Sequence, residues 1–449
     1  MRLIDFLLSS IAFWMAWILI PVLLEIIPAI GNFFVLLKKS MIKKTVQELK
    51  YYPEITLIIP VYNSEDTLEA CIRSIYESNY PKELIRVLLV NNQGKDNSYD
   101  IYTKAQQEFH GLYMSWMDAK QGKSKALNLA LYNSEGKYII HIDSDGLLHP
   151  DALKNMVTMF EHNPKVHCMT GTIMTNPDDI EATKGVFRKF FRKVEFFEYC
   201  QAFLAGRNFE SEFNNIYTLS GAFSGFRKSA ILKTQLYNTD TVCEDTHITF
   251  QVRDILKKSV KLCPNAIFFV EPITNWNHLY IQRQRWQRGE IEVAHMFLKK
   301  NLKAGKGFLT DFTVRLIMYD HTFAFPRMIW YFALICLAFM GYPVKYVVIS
   351  TGIVYVLYVF TTFLYYINIS IFLKQYSDLR RYYMRKWYLS FLLPAYNFIV
   401  FWFRFAGIIN SIESEQSWKM KNLKEERDTF FAVIKEDLQR IFTVLKIRK

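Results

Sequence analysis

From Ile11 to Leu37 the chain is almost continuously apolar (IAFWMAWILIPVLLEIIPAIGNFFVLL). At about 1.5 Å per helical residue this stretch spans the roughly 30 Å of hydrocarbon in a bilayer. A secretory leader has a shorter apolar core and a small-residue cleavage site, so the segment reads as a retained anchor. Lys38, Lys39, Lys43 and Lys44 follow it, whereas only Arg2 precedes it. That asymmetry puts what comes next on the cytoplasmic side. Glu25, an ionisable group inside the apolar run, predicts packing against other helices.

Two more spans are expected, from His321 to Gly341 and from Val344 to Leu373, joined by a tight Tyr342-Pro343 turn. The basic group Lys374, Arg380, Arg381, Arg385 and Lys386 then returns to the inside. Trp387 to Ile409 is apolar enough to cross but is interrupted by Pro394 and Arg404. Crossing would also carry a Lys/Arg-rich tail (Lys419, Lys421, Lys424, Arg427) outside, so a re-entrant or interfacial helix with the tail inside is preferred. Phe308 to Met318 has helical spacing with Asp311 and Arg315 and reads as a helix lying flat on the membrane. The formal charge of +13 (55 Lys plus Arg against 42 Asp plus Glu) suits anionic headgroups and an anionic substrate. No nucleic-acid-binding motif accompanies it, and no nucleic-acid partner is expected. Six widely separated cysteines predict reduced, mostly buried thiols and a cytoplasmic catalytic portion.

Between the apolar blocks, ITLIIPVY, IRVLLVNN and KYIIHIDSD read as strands, with helices over Thr67 to Ser78 and Ser124 to Tyr132. Alternating strands and helices imply an α/β fold with a parallel-rich sheet. Ligands of such sheets bind at the carboxyl ends of the strands. Those ends carry Tyr62-Asn63, Asn91-Asn92 and Asp143-Ser144-Asp145. Each group alone is an ordinary turn. Together they read as one site.

Asp143 and Asp145, two apart on an extended segment, point to the same side and can share a divalent cation. Hard oxygen ligands suit Mg2+ or Mn2+, which in turn bridges nucleotide phosphates. The ammonium groups of Lys123 and Lys125 in Gly122-Lys123-Ser124-Lys125 suit a diphosphate.

The ordered series PVYN (60–63), VNNQGKD (90–96), GKSKALN (122–128), DSD (143–145), SGAFSGFRK (220–228), ED (244–245) and QRQRW (282–286) resembles family 2 of the glycosyltransferases. More narrowly it resembles the membrane-embedded synthases of cellulose, chitin, hyaluronan and poly-N-acetylglucosamine. The resemblance implies a GT-A-like nucleotide-sugar-binding domain flanked by transmembrane and interfacial helices. It implies inverting transfer from a nucleotide-sugar donor, with Asp245 of the Glu244-Asp245 pair as the base that takes the acceptor's proton. It gives Tyr62, Asn91, Asn92, Lys123, Asp143 and Arg285 to the donor nucleotide, Asp143 and Asp145 to the metal, and Gln282 and Trp286 to the acceptor. An indole face packs well on a pyranose ring. Gly221, Phe223 and Gly225 would floor the donor sugar, and Ser417-Trp418-Lys419 resembles a loop that closes over the nucleotide.

There are departures. Ser64 stands where the family often has Glu, with Glu65 one place later, and Asn91-Asn92 replace a pair of acids. An Asn offers a uracil edge both a donor and an acceptor.

The chain accordingly divides into an N-terminal transmembrane anchor (1–45), a cytoplasmic glycosyltransferase domain (46–305), an interfacial helix with C-terminal membrane segments (306–411) and a basic tail (412–449). The expected activity is polymerisation of sugar from a donor, UDP-linked in the first instance, onto a polysaccharide at the cytoplasmic membrane face. Non-processive addition of a single sugar to a lipid acceptor is the alternative. The few membrane segments make a homodimer or a partner membrane subunit possible. An inactive scaffold is disfavoured because Asp143, Asp145, Asp245 and the QRQRW residues are all present.

Overall fold

The computed structural model describes residues 18–42, 48–241, 243–303, 324–341, 343–413 and 422–428. The start of the apolar block, Lys43 and Lys44, the stretch from Phe308 to Met318, Tyr342 and Ser417 to Lys419 lie outside the described residues.

The centre is an eight-stranded sheet: β1 (Ile55–Val61), β2 (Ile85–Asn91), β3 (Tyr113–Asp118), β4 (Tyr138–Ile142), β5 (Gly146–Leu148), β6 (Cys168–Thr175), β7 (Phe223–Arg227) and β8 (Val260–Val270). Their spatial order is β3-β2-β1-β4-β7-β6-β8-β5. The first half, β3-β2-β1-β4, is parallel, and β7 runs antiparallel between β4 and β6. β1 reads ITLIIPV without polar alternation because both of its faces are covered. Ile55, Leu57, Ile59 and Val61 enter one core with helices α2 (Leu68–Tyr76), α3 (Ser98–Glu108) and α5 (Ala152–His162). Ile58 enters the opposite core, with Ala126, Leu127, Ala130 and Leu131 of α4 (Lys123–Tyr132).

Sequence periodicity passed directly from the second strand to the helix that starts near Ser124. The structure inserts α3 and β3 there, so the acid-ended strand is the fourth. β3 escapes notice because YMSWMD sits at the sheet edge and is mostly half-exposed or exposed, with no buried apolar run.

A helix over Ile18–Met41 (α1) is long and apolar enough to cross a membrane, and so is the helical segment Val344–Gln375, whose α-helix α10 spans Val344–Phe372. Glu25 of α1 accepts a hydrogen bond from the Tyr358 hydroxyl of α10 at 2.9 Å, and Asn32 donates to Tyr365 at 3.2 Å. This is the helix–helix contact that an acid inside an apolar run requires. Lys39, at the end of α1, bonds Asn208 and Glu212 and so ties this helix to the sheet domain.

Between these elements run α6 (Val186–Tyr199), α7 (Glu244–Phe250), α8 (Trp276–Lys303) and α9 (Ala324–Phe339). At 16 residues α9 is about 24 Å long. The last long helix, α11 (Leu393–Glu413), packs along α8. Arg404, which breaks its apolar run, is buried there and donates to Gln287 Oε1 at 3.2 Å. All six cysteines are free thiols, and only Cys336 is exposed.

Candidate active site

β1, β2 and β4 are adjacent and parallel, so Tyr62-Asn63, Asn91-Asn92 and Asp143 leave the sheet on one edge. The loops there are locked to each other. Lys95 N–H donates to the Asn63 side chain at 2.9 Å, and Asn63 and Gln93 both take the left-handed backbone conformation (φ 50° and 60°) that Asn-type turns tolerate. Glu65, the displaced acid, accepts from the Asn97 backbone and side chain, both at 3.0 Å, and therefore serves the loop.

The two asparagines are also engaged within the chain. Asn91 donates to Asp118 at 2.8 Å and accepts from Gly94 N–H at 2.9 Å. Asn92 accepts from Gly122 N–H at 2.5 Å, and Gly122 has φ 129°, a conformation L side chains rarely adopt. Asp118, at the end of the strand that the sequence did not reveal, is thereby brought beside Asn91. Tyr62 is 52% exposed on the same edge.

Lys123 opens α4 immediately after Gly122 and is the hub of the site. Its ammonium lies 2.7 Å from Asp143 and 3.6 Å from Glu244. Burial would lower its pKa, but the charges of Asp143, Glu244 and Asp245 outweigh this and hold the ammonium above its usual range. Glu244 is buried at the start of α7, and loss of hydration pushes its carboxyl up against the opposing pull of Lys123. Asp145 follows the end of β4 and is partly open to solvent. Loss of hydration among the surrounding protein atoms, and then the Asp143 charge, push it up to about 6.

Asp245 sits in the first turn of α7. It is not the cap, since Cys243 occupies that position. Its Oδ1 accepts from the Thr246 N–H at 2.7 Å, and its Oδ2 faces Gly221, where an added Cβ would lie 3.1 Å away.

Among the described residues no set of three or more His, Cys, Asp and Glu side chains is arranged to hold a metal ion. Asp143 and Asp145 supply two hard oxygen donors, and their mutual repulsion raises Asp145; a divalent cation relieves such repulsion. They fit a cation whose other ligands come from a diphosphate.

The QRQRW residues lie on α8. Gly289 allows this helix to touch α7, because a Cβ there would fall 1.9 Å from Cys243 Sγ. The contact sets the Arg285 carbonyl 3.9 Å from the Cys243 thiol, next to Glu244. Trp286 is half-buried, edge-on to Phe203 at 6.1 Å, with the Arg283 guanidinium 4.5 Å from its ring centre. Arg283 is fully buried and pairs with Glu198 at 2.5 Å. Arg285 is exposed. Gln282 donates to the Tyr199 hydroxyl at 3.5 Å, and its buried side-chain carbonyl oxygen has no hydrogen-bond partner among the described residues.

The structure therefore joins Lys123, Asp143 and Glu244 directly, with Asp245 next to Glu244 in the first turn of α7, and brings Arg285 alongside through Cys243. Trp286 packs on the Phe203 and Arg283 side. Sequence reasoning missed Asp118, Cys243, Arg283 and Gly289. The Q-R-Q-R repeat was the one available signal for Arg283. Replacing Arg283 by Met should destabilise the protein by about 3–5 kcal/mol, because Glu198 loses its buried partner. Thermal unfolding in detergent measures this, and an unchanged midpoint would contradict the assigned ion pair.

The mixed α/β sheet, with polar and acidic residues at its parallel strand ends, has the architecture of the GT-A fold. In keeping with this, the chain is similar in three dimensions to a mannosyltransferase from Pyrobaculum calidifontis in complex with GDP-Man and Mn2+. The TM-score is 0.57 at 16% identity, covering 89% of this chain and 100% of that one.

Residues 56–234 match the model of Glycosyl transferase family 2. It is similar to the poly-beta-1,6-N-acetyl-D-glucosamine synthase of Staphylococcus aureus, with 24% identity over 277 residues and 61% of this chain covered. The Staphylococcus epidermidis protein of the same name is 23% identical over 282 residues, with 63% of this chain covered. The chain spans 64% and 63% of the length of these two relatives.

Proposed function

We propose that the protein is a membrane-bound polysaccharide synthase that transfers sugar, with inversion, from a UDP-linked donor to a growing glycan at the cytoplasmic membrane face. The observation that carries this is the Lys123 ammonium held between Asp143 and Glu244, with Asp245 beside them. The cluster sets a fixed positive charge where a leaving diphosphate needs one and a carboxylate base where an acceptor hydroxyl must lose its proton. The staphylococcal relatives are named for an N-acetylglucosamine polymer, so UDP-GlcNAc is the first donor to test.

In this mechanism Tyr62, Asn91 and Asn92 border the base, with Asp118 beside Asn91. Lys123 and Arg285 hold the diphosphate. Asp143 and Asp145 would hold Mg2+ or Mn2+, which supplies charge neutralisation to the departing nucleotide. Asp245 takes the proton of the attacking hydroxyl, with Glu244 behind it. Gln282 orients the acceptor with its unpartnered carbonyl, and Trp286 carries the acceptor ring. The apolar helices α1 and α10 anchor the protein in the membrane.

Purified protein in lipid is incubated with a panel of nucleotide sugars and the products are sized. A ladder is the expected result. A single lipid-linked band would replace polymerisation by one transfer to a lipid, and no transfer from any donor would refute the assignment. Excess chelator should abolish turnover, and added Mg2+ or Mn2+ should restore it. Full activity in chelator would remove the metal role from Asp143 and Asp145.

A further inference from the structure

Behind the Glu244–Asp245 pair lies a void of about 10 Å³ lined by His141, Gly221, Ser224, Tyr237, Glu244, Asp245 and three apolar side chains. Its size is at the lower limit for one water molecule, and it has the two to four polar partners that a buried water requires. His141 lies in β4 opposite Ser224 of β7 and is 3% exposed. Its Nδ1 is 2.6 Å from the Tyr237 hydroxyl, while its fully buried Nε2 meets no hydrogen-bond partner among the described residues.

Tyr237 is itself fixed. Its backbone N–H donates to Asn128 Oδ1 at 2.9 Å, and Asn128 Nδ2 donates back to its carbonyl at 2.8 Å. Asn128 is on α4, the helix that begins with Lys123. Among the described residues His141 Nδ1 is the hydrogen-bond partner of the buried Tyr237 hydroxyl, and a buried hydroxyl must donate somewhere, so Nδ1 is taken as its acceptor. A phenol donating to Nδ1 leaves the ring proton on Nε2. His141 thus presents an unmatched N–H to a void whose other wall is two carboxylates.

We propose that His141 is a positioning residue for the Glu244–Asp245 pair, acting through one water molecule held in this void, with Tyr237 fixing its tautomer. The water accepts from His141 Nε2–H and donates to the carboxylates. This holds Glu244 and Asp245 at one orientation relative to Lys123 and the acceptor. His141 touches neither donor nor acceptor. The proposal rests on the transferase reading for its kinetic consequence, but the water site does not.

The test uses the full chain in lipid with the donor that gives product. His141→Leu should lower kcat by about tenfold or more while leaving the donor KM within about twofold, because an orienting interaction used in the transition state is lost. His141→Gln returns an N–H near the Nε2 position and should recover most of the rate; Tyr237→Phe should fall between. If His141→Gln is as slow as His141→Leu at equal thermal stability, His141 only fills space and the proposal fails. It also fails if all three variants match the unsubstituted protein.

A high-resolution map of the unsubstituted protein decides the matter independently of turnover. Density for a water between His141 Nε2 and the carboxylates supports the proposal; its absence overturns it. If the unsubstituted protein transfers no sugar, the functional assignment has failed, and the map alone judges the water site.

Discussion

Asp245→Asn is expected to slow sugar transfer by about 10²–10⁴-fold, the usual contribution of a positioned general base, with donor binding nearly unchanged. The amide is isosteric with the carboxylate and can still accept from the Thr246 N–H through its oxygen. It cannot take a proton from the acceptor hydroxyl. Donor binding survives because the contacts of Lys123 with Asp143 and Glu244 do not pass through Asp245. Nucleotide affinity by calorimetry and product formation from labelled donor separate the two quantities. Turnover within about twofold of the unsubstituted protein would remove Asp245 as the base, since one proton-transfer group is worth far more than that.

The second large effect comes from a residue with no chemistry. Gly289→Ala would place a methyl carbon 1.9 Å from Cys243 Sγ and 2.6 Å from Cys243 Cβ. Both distances lie far inside van der Waals contact. Because Cys243 opens α7 and Arg285 packs over its thiol, α8 must shift away from Glu244 and Asp245. Overpacking of this kind costs about 1–3 kcal/mol, and we expect transfer to fall by about tenfold or more as the two halves of the site separate.

Adding Cys243→Gly removes both the thiol and the β-carbon, so the double variant should regain stability and rate. Glycine is also an acceptable residue at a helix N-cap. Thermal unfolding and initial rates for both single variants and the double variant complete the cycle. A Gly289→Ala protein as stable and as fast as its parent would show that the α7–α8 contact does not hold the site together.

Several features were open to sequence reasoning for local reasons. A long apolar run must be a helix in a membrane or an interior, whatever surrounds it. β1, β2 and β4 are buried on both faces, so each leaves a continuous apolar signature that ends in polar residues. Glu25 announced a helix partner because an acid in an apolar segment needs one. By contrast, β3 at the sheet edge carries almost no such signature, and Asp118 stayed hidden with it.

The QRQRW repeat shows the same division inside one helix. Its two arginines are interchangeable in sequence, yet Arg283 turns into a buried pair with Glu198 while Arg285 remains exposed. Which face of α8 is inward depends on Phe203, Glu198 and Cys243, which approach from three other elements. Likewise Asn91 and Asn92 read as nucleotide contacts, but their amides are also spent on Gly94, Asp118 and Gly122.

From the amino-acid order alone come the apolar helices, the parallel strand ends and the motif series that marks the family, because each depends on composition within a short window. Folding in three dimensions alone decided that Lys123 bridges Asp143 and Glu244, that Gly289 admits Cys243, and that His141 and Tyr237 stand behind the acids. Those contacts join segments about 20 to 120 residues apart in the chain, and only the shape of the packed sheet and helices brings them within reach of one another.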